Sequence, residues 1–406
     1  MIRHLGKLDA PPSDEGCFCF EFEHQQSYLE LPSPVTLQVL LLNDGADCRC
    51  LMTTDSLDEV LQDLSGNHQD QFNQLAERLN RVPVDLNGPI PLEPVYIPKP
   101  WGQEIWYSGI EDRGVSTANG IPVAWLFDVF GDTIGCPGTP LLLKILDPLP
   151  QENSGDLYFE LHEKKVEVYI VTHINRSAWP DGRGRIRYGF SPELMTEYPS
   201  RDAFLAAYLD AVKAYEEVRR RIDTGSSGLE LEEEELRADM YRFTAMREIG
   251  EGDVITVEPF IPHSLQHGVR VVEFQTPHYE RYILSFGQKV LTQDHWDTES
   301  ALKLASIDTD EREKIQSIGP GEDLIADFDA FRVRRITVAP GATKVEASDR
   351  YLMIMGISGE ITVTSTDASE SVSAESAWFL PPGSATFTNS SGEPATILLA
   401  EESSPA

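Results

Sequence analysis

Long apolar runs are absent from this chain, as are other features that would assign it to a specialised class. No stretch approaches the roughly 20 apolar residues of a membrane-spanning helix. The first residues, Met1-Ile-Arg-His-Leu-Gly, lack the apolar core of a secretory signal peptide. We therefore expect a soluble, cytoplasmic protein.

Basic residues are scarce, since 33 lysines and arginines face 67 aspartates and glutamates, for a net charge of −34. Such a charge disfavours nucleic acid and anionic lipid as partners, because both repel an acidic surface. A small anionic substrate would need a local basic pocket. We therefore expect a small-molecule partner, no nucleic acid and no membrane.

Cysteine is also rare, with five residues, four of which form two C-x-C pairs. Cys17 and Cys19 lie on one predicted strand, and Cys48 and Cys50 lie on another. Structural zinc sites usually space their cysteines as C-x2-4-C, so the pairs fit that use poorly. We expect free thiols without a ligand role, with a thiolate metal site as the alternative.

A chain of 406 residues is too long for one ordinary core, and 41% hydrophobic residues is typical of globular proteins. We predict an N-terminal α+β module over residues 1–90, a central domain over 91–330 and a C-terminal domain over 331–406. A helical insertion at about 198–248 interrupts the β pattern of the central domain. The predicted fold class is mainly β.

Periodicity predicts the elements of each part. In the first module, alternating residues predict strands over 17–23 and 35–42, and short helices are predicted over 57–64 and 71–79. Apolar runs predict buried strands over 123–129 and 141–146. Lys144 interrupts the second run, and we interpret it as an edge residue whose amine reaches solvent, with a pocket charge as the alternative.

Helical spacing predicts two long helices in the insertion. The first covers 200–223, with Ser200 as its cap. The second covers 229–246, with its acidic residues facing solvent. Beyond residue 330, turn residues separate short predicted strands over 331–338, 351–357, 360–364, 377–380, 385–388 and 395–400, a spacing typical of a small β-barrel. This last part contains no histidine, so it offers no second metal centre of the same kind.

One cluster of polar residues has the composition of a metal site. Glu160 and His162 lie two apart in a predicted strand, so they share one face of it. Glu167 follows a charged turn on a second strand over 166–172, and His263 follows a proline-containing turn far along the chain. Two imidazoles and two carboxylates suit zinc, iron or manganese. The alternative is a surface hairpin with ordinary charges, but the two-part pattern is typical of a cupin β-barrel.

From about Lys99 onwards the chain resembles the type I phosphomannose isomerases, zinc enzymes of the cupin superfamily. The resemblance rests on Lys99-Pro-Trp-Gly102, Pro140-Leu-Leu-Leu-Lys-Ile-Leu-Asp147, Leu157-Tyr-Phe-Glu-Leu-His162, Lys164-Lys-Val-Glu-Val-Tyr169, Gly252-Asp-Val-Ile-Thr-Val257 and Pro262-His-Ser-Leu265. It implies a cupin-type β-barrel (jelly roll), with a second barrel at the C-terminus. It also implies that Glu160, His162, Glu167 and His263 bind zinc, with iron or manganese as other candidates.

The resemblance further implies roles for residues around the metal. Lys165, Arg281 and Glu273 stand for catalytic residues, while Lys99, Trp101 and Tyr158 stand for residues that line the substrate. The chain departs from the family where Glu160 replaces a glutamine ligand and Tyr158 replaces a serine near the sugar phosphate. The segment between the first histidine and the glutamate ligand is also shortened to four residues.

We therefore predict a metal-dependent aldose–ketose isomerase that converts mannose 6-phosphate to fructose 6-phosphate. Two alternatives remain open. The same ligands suit an Fe(II)-dependent cupin oxygenase, and the altered phosphate-site residues suit a non-catalytic sugar-binding or regulatory cupin.

Overall fold

The computed structural model describes residues 2–27, 31–45, 47–111, 114–289, 296–307, 315–366 and 368–403. Within these residues the chain is mainly β, as predicted, with helices between the strands. It divides into two compact units. Unit 1 contains Met1–Tyr96, Trp106–Leu143 and Ile315–Ala406, and unit 2 contains Ile97–Ile105 and Lys144–Lys314.

The elements are numbered in chain order. The helices are α1 (His68–Leu79), α2 (Val123–Phe130), α3 (Pro192–Met195), α4 (Arg201–Asp223), α5 (Glu230–Tyr241) and α6 (Thr298–Leu304). The strands up to the insertion are β1 (Arg3–Lys7), β2 (Gly16–Gln25), β3 (Pro34–Asn43), β4 (Cys48–Thr53), β5 (Val84–Asp85), β6 (Ile90–Leu92), β7 (Val95–Lys99), β8 (Gly102–Trp106), β9 (Ile110–Glu111), β10 (Gly114–Val115), β11 (Thr117–Ala118), β12 (Ile121–Pro122), β13 (Leu142–Pro148), β14 (Phe159–Leu161), β15 (Glu167–Ile174) and β16 (Gly184–Phe190). The later strands are β17 (Thr244–Ile249), β18 (Val254–Val257), β19 (His263–Leu265), β20 (Val269–Gln275), β21 (Tyr282–Ser285), β22 (Gln316–Gly319), β23 (Glu322–Asp327), β24 (Phe331–Val338), β25 (Thr343–Ser348), β26 (Leu352–Ser358), β27 (Glu360–Ser365), β28 (Ala368–Ser373), β29 (Ala377–Leu380), β30 (Gly383–Thr388) and β31 (Ala395–Glu402).

Unit 1 begins with a five-stranded sheet, β1 to β5 in sequence order, against which α1 packs. The helix starts at a capping box, in which the Asn67 side chain and the Asp70 side chain each accept a backbone N–H of the other residue. The predicted helix over 57–64 is wrong, because that segment forms turns. A side chain of α1 binds a carbonyl group of this segment, since the Arg78 guanidinium donates to the Val60 carbonyl oxygen at 2.6 Å.

The four paired cysteines lie on two faces of this sheet. Cys17 and Cys19 align with Leu42 and Leu40 of β3, whereas Cys50 and Cys48 align with Leu41 and Asn43. Because neighbouring positions of a strand point to opposite faces, the two C-x-C pairs face apart. Burial raises the pKa of the Cys17 thiol to about 12 and that of Cys48 to about 11. The thiols therefore do not converge on one point.

Unit 1 continues in two sheets that share one core. A seven-stranded sheet has the order β22-β23-β24-β31-β26-β29-β6, and a four-stranded sheet has the order β25-β30-β27-β28. Side chains of both sheets, such as Ile354 and Phe387, meet in this core. The first sheet contains strands on both sides of residue 330, where the sequence suggested a domain boundary. The division into 1–90, 91–330 and 331–406 stays a prediction.

The predicted strand over 123–129 is wrong, because the segment forms the helix α2. A short apolar run fits a buried strand and a buried helix equally well, and here nearly every side chain of α2 is buried.

Unit 2 carries the second pair of sheets. A six-stranded sheet with the order β18-β15-β20-β13-β8-β7 faces a five-stranded sheet with the order β17-β16-β19-β14-β21. Their inner faces meet in one apolar core that includes Tyr169 and Val271 from the first sheet and Ile186 and Ile283 from the second. Two facing antiparallel sheets form the jelly-roll arrangement of cupins.

The insertion packs helices against the outside of the second sheet of this unit. The prediction for α4 is confirmed, including the Ser200 cap, whose hydroxyl accepts the Ala203 N–H. The second predicted helix ends early, since α5 stops at Tyr241 and the chain re-enters the sheet as β17. Its acidic residues do not all face solvent, because Glu233 is buried and accepts the Tyr215 hydroxyl at 2.6 Å. No helix in the described part of the chain is long and apolar enough to span a membrane.

Candidate metal centre

The four predicted ligand residues come together on the inner faces of the two sheets of unit 2. Glu160 lies in β14, with His162 just after it, and Glu167 is the first residue of β15. His263 is the first residue of β19 and pairs directly with Glu160 in the five-stranded sheet. The sheet pairing therefore joins the two halves of the cluster.

The ligand atoms of this cluster are close to one another. Glu160, His162 and His263 each offer a ligand atom, and these three atoms lie within 4.8 Å of one another. The Nε2 atom of His162 is 3.9 Å from Oε1 of Glu160. The Oε2 atom of Glu167 is 3.6 Å from Nε2 of His162 and 3.2 Å from Nε2 of His263.

Both imidazoles are oriented by their other ring nitrogen. Nδ1 of His162 lies 2.9 Å from the Glu280 carbonyl oxygen, and Nδ1 of His263 lies 3.0 Å from the Ile261 carbonyl oxygen. A carbonyl only accepts, so each Nδ1 carries the proton and each Nε2 presents a lone pair. Among the described residues, neither of the two buried Nε2 atoms has a hydrogen-bond partner. This is the arrangement of metal-binding histidines.

The spacing of these atoms fits a small divalent ion. Ligand bonds of about 2.0–2.1 Å to zinc place neighbouring ligand atoms about 3.3 Å apart in a tetrahedron. The three separations above, 3.2, 3.6 and 3.9 Å, bracket that value. Oε2 of Glu160 is also buried and has no hydrogen-bond partner among the residues that the structure describes. The residues present therefore fit a bound divalent metal.

The surroundings of Glu167 favour the ionised carboxylate that binds metal. Burial raises the pKa of this carboxyl, but the neighbouring Lys165 and His162 outweigh it and hold the pKa well below its usual range. Lys165 forms an ion pair with Oε1, and the Tyr169 hydroxyl donates to Oε2 at 2.8 Å. Burial lowers the pKa of His162, which favours the neutral imidazole that binds metal.

Backbone contacts hold the loops that carry these residues. Phe260 adopts a left-handed conformation with φ of 68°, and its N–H donates to the His162 carbonyl oxygen at 2.7 Å. Such a conformation is strained for an aromatic residue and is typical of functional sites. Glu280 accepts the backbone N–H groups of Lys164 and Lys165, which fixes the turn before Glu167.

Two of the three predicted catalytic residues, Lys165 and Glu273, lie beside this cluster. Lys165 is buried beside Glu167, as described above. Glu273 is opposite Tyr169 in the pairing of β15 with β20, and its side chain is fully buried. The Arg281 guanidinium lies 4.7 Å from the centre of the Tyr158 ring. Their catalytic roles stay predictions.

The residues predicted to line the substrate are more deeply buried than that role requires. Tyr158 packs against Phe286 with ring centres 4.3 Å apart, and Trp101 belongs to the same apolar core. Lys99 forms an ion pair with Glu104 at 2.8 Å, and only 6% of its side chain is exposed. Contact with a substrate stays a prediction for these three residues.

The interpretation of Lys144 as an edge residue is wrong. Lys144 lies in β13, in the interior of the six-stranded sheet, and its Nζ forms an ion pair with Oε1 of Glu273 at 3.1 Å. Sequence reasoning also missed Glu104, Tyr169 and Glu280 as neighbours of the site. The signal for Lys144 was available, because a lysine inside an otherwise apolar run requires a buried counter-charge.

Comparison with solved structures identifies the fold. The mannose 6-phosphate isomerase from Bacillus subtilis superposes with a TM-score of 0.55 at 17% identity, covering 77% of this chain and 99% of that one. A phosphomannose isomerase from Salmonella typhimurium gives 0.59 at 8% identity, covering 78% and 100%. A putative mannosephosphate isomerase from Archaeoglobus fulgidus gives 0.51 at 12%, covering 78% and 98%.

No protein-family model and no curated protein sequence matches the chain. Identities this low establish the fold alone, and one structure of the same kind is described as bound with zinc and yttrium. The chain therefore has the cupin-type fold of the phosphomannose isomerases, as the sequence resemblance predicted.

Proposed function

We propose that this protein is a metal-dependent aldose–ketose isomerase of sugar phosphates, with mannose 6-phosphate and fructose 6-phosphate as its substrate pair. The observation that carries the proposal is the convergence of Glu160, His162, Glu167 and His263, with Lys165 beside them, within a phosphomannose isomerase fold. Two of these four residues present imidazole nitrogens that accept no hydrogen bond within the described part of the chain.

Glu160, His162, Glu167 and His263 would hold the ion, and zinc suits this set of nitrogen and oxygen donors. A bound divalent metal supplies Lewis-acid polarisation of the open-chain carbonyl and its neighbouring hydroxyl. Isomerisation then needs a group that moves a proton between C1 and C2, and a positive charge beside the enediolate that forms.

The surrounding side chains supply those two needs. Burial and the neighbouring Glu167 raise the pKa of Glu273, so this carboxyl holds a proton to higher pH than an exposed glutamate. We assign it the proton transfer. Lys165 and Arg281 supply positive charge, which an anionic sugar requires in a chain of net charge −34. Lys165 lies against the carboxylate cluster, and Arg281 extends over Tyr158.

The test is a coupled assay of fructose 6-phosphate formation by protein loaded with zinc, iron or manganese, using mannose 6-phosphate and a panel of other aldose phosphates. We expect turnover of mannose 6-phosphate that is lost with a chelator and restored by one divalent metal. Exchange of the C2 hydrogen with solvent during turnover would support the enediolate route.

Two outcomes would replace this proposal. Oxygen consumption by the Fe(II)-loaded protein, without isomerisation, would favour the oxygenase. Sugar-phosphate binding with full metal content but without turnover of any aldose phosphate would favour the non-catalytic cupin.

A further inference from the structure

Charged side chains form a buried row across the six-stranded sheet of unit 2. Its adjacent strands β15, β20, β13, β8 and β7 each place one charged residue in the row. In that order the residues are Glu167, Glu273, Lys144, Glu104 and Lys99. Lys165 joins the row at the metal end through its ion pair with Glu167.

Each carboxylate of the row has a lysine partner. Lys144 meets Glu273 at 3.1 Å, and Lys99 meets Glu104 at 2.8 Å. Glu104 and Glu273 are both near enough to Lys144 to raise its pKa despite burial. Three carboxyl groups and three lysines make up the row, and the side chains of Lys99 and Lys144 are less than a tenth exposed.

A buried ion pair rarely adds net stability, because desolvation of both charges offsets their attraction. Removing one partner, in contrast, leaves an uncompensated charge in the interior. The row is therefore better explained by the orientation it imposes than by the stability it adds. Near the metal end of the row, the side chain whose orientation is fixed in this way is Glu273.

We propose that Lys144 is a positioning residue that holds the Glu273 carboxylate beside the metal cluster, and that the Lys99–Glu104 pair fixes Lys144 from behind. The inference rests on the proposed function for its catalytic consequence. Its structural part, the coupling between Lys144 and Glu273, stands independently of activity.

The catalytic arm compares Lys144→Met and Lys144→Arg with the wild type at equal metal content. We expect kcat to fall about tenfold or more in Lys144→Met, with KM changed less than about threefold, because substrate binding is retained while Glu273 loses its orientation. Lys144→Arg restores the charge and should recover at least part of kcat. Lys213→Met is the matched control, because Lys213 forms an exposed pair with Glu299 at 3.8 Å.

Variants of the Lys99–Glu104 pair test the row without changing Lys144 or Glu273. Glu104→Gln removes the carboxylate from the Lys99–Glu104 pair, and Lys99→Met removes the amine from it. We expect each single variant to lower kcat, and the double variant to recover relative to the worse single variant, because it removes both charges together.

The structural arm is a double-mutant cycle on the melting temperature of the metal-free protein, with Lys144→Met and Glu273→Gln. Each single variant should melt roughly 10 °C lower, and the double variant should lose much less than the sum. Additive losses in this cycle would overturn the pairing.

The outcomes separate the two proposals. A wild type that turns over no sugar phosphate, together with a strong coupling in the melting cycle, rejects the proposed function and keeps the row. An active wild type whose Lys144→Met variant retains kcat within about threefold rejects the positioning role. If Lys144→Met does not fold, the Glu104 and Lys99 variants decide, and an unchanged kcat in both overturns the inference.

Discussion

Nε2 of His263 lies 3.2 Å from Oε2 of Glu167, although the two residues are far apart in the sequence. The two side chains come from different sheets of unit 2, since β19 belongs to the five-stranded sheet and β15 to the six-stranded one. The cluster therefore joins the facing sheets across their apolar core. Loss of one ligand removes both a binding atom and a link between the sheets.

Metal content gives the first prediction. Purified protein should contain about one divalent ion per chain, with zinc favoured, and His263→Ala should lose it. The reason is that this change removes one of the two imidazole Nε2 atoms that lie beside the Glu167 carboxylate. Elemental analysis by mass spectrometry after gel filtration provides the measurement.

His173→Ala is the control, because 60% of that side chain is exposed to solvent. It should keep the full metal content. Retention of stoichiometric metal by the purified His263→Ala variant would show that the ion binds elsewhere.

Thermal stability gives the second prediction. A metal that binds only the folded protein stabilises it by about 2.7 kcal/mol at a free concentration one hundred times its Kd. Chelation should therefore lower the Tm of the wild type by roughly 5–10 °C, as followed by scanning calorimetry with and without a chelator. The His263→Ala variant should melt at the same temperature in both conditions. Equal Tm values for wild type with and without chelator would argue against a metal that stabilises this fold.

The candidate ligand residues could be named from the sequence because they stand in two local patterns. Alternation along β14 places Glu160 and His162 on one face without knowledge of the rest of the fold. The distant His263 was joined to them through the two-part cupin pattern, because it follows a strand and a proline-containing turn. Spacing along the chain does not reveal that β19 pairs with β14.

The wrong secondary-structure predictions and the wrong interpretation of Lys144 have causes in tertiary structure, which local sequence patterns do not show. The apolar run over 123–129 fits a buried helix as well as a buried strand, and only tertiary packing selects α2. The strands β25 and β28 were missed because their side chains are mostly polar or exposed. Lys144 was misread because its counter-charge, Glu273, lies on a strand that is distant in the sequence.

A pH dependence of unit 1 gives the third prediction. Burial raises the pKa of Glu322, but the Lys344 and Arg334 charges outweigh it and hold the pKa below its ordinary value of 4.5. The Arg334 contact is 2.5 Å long. A lowered pKa in the folded state means that Glu322 contributes stability above pH 4.5, and that this contribution is lost as the pH falls through the folded-state pKa.

Glu322→Gln should therefore melt about 3–6 °C below the wild type at neutral pH, for a loss of about 1–2 kcal/mol. The difference should shrink as the pH falls below about 4.5. Glu370→Gln is the control, because Glu370 is exposed on β28. A difference between wild type and Glu322→Gln that stays constant down to the lowest pH would exclude this ionic contribution.

The last prediction concerns the positive charges of Lys165 and Arg281. Lys165→Met keeps most of the side-chain volume and removes the charge beside Glu167, while Arg281→Met removes the guanidinium over Tyr158. Losing a preorganised charge that contacts a developing enediolate should lower kcat on the order of 10²-fold. The measurement is steady-state isomerisation of mannose 6-phosphate, with metal content determined for every sample.

Lys164→Met is a close control for Lys165→Met, because Lys164 is the neighbouring lysine and its side chain is exposed. Glu280 binds only the backbone N–H of Lys164, so the turn should survive the change. We expect this control to keep kcat within about twofold, since surface substitutions alter stability by no more than about 0.5 kcal/mol. If the wild type is active and both Lys165→Met and Arg281→Met retain kcat within tenfold, a barrier change of about 1.4 kcal/mol, then neither charge acts on the transition state. The positive charge that an anionic sugar requires would then have to come from another part of the fold.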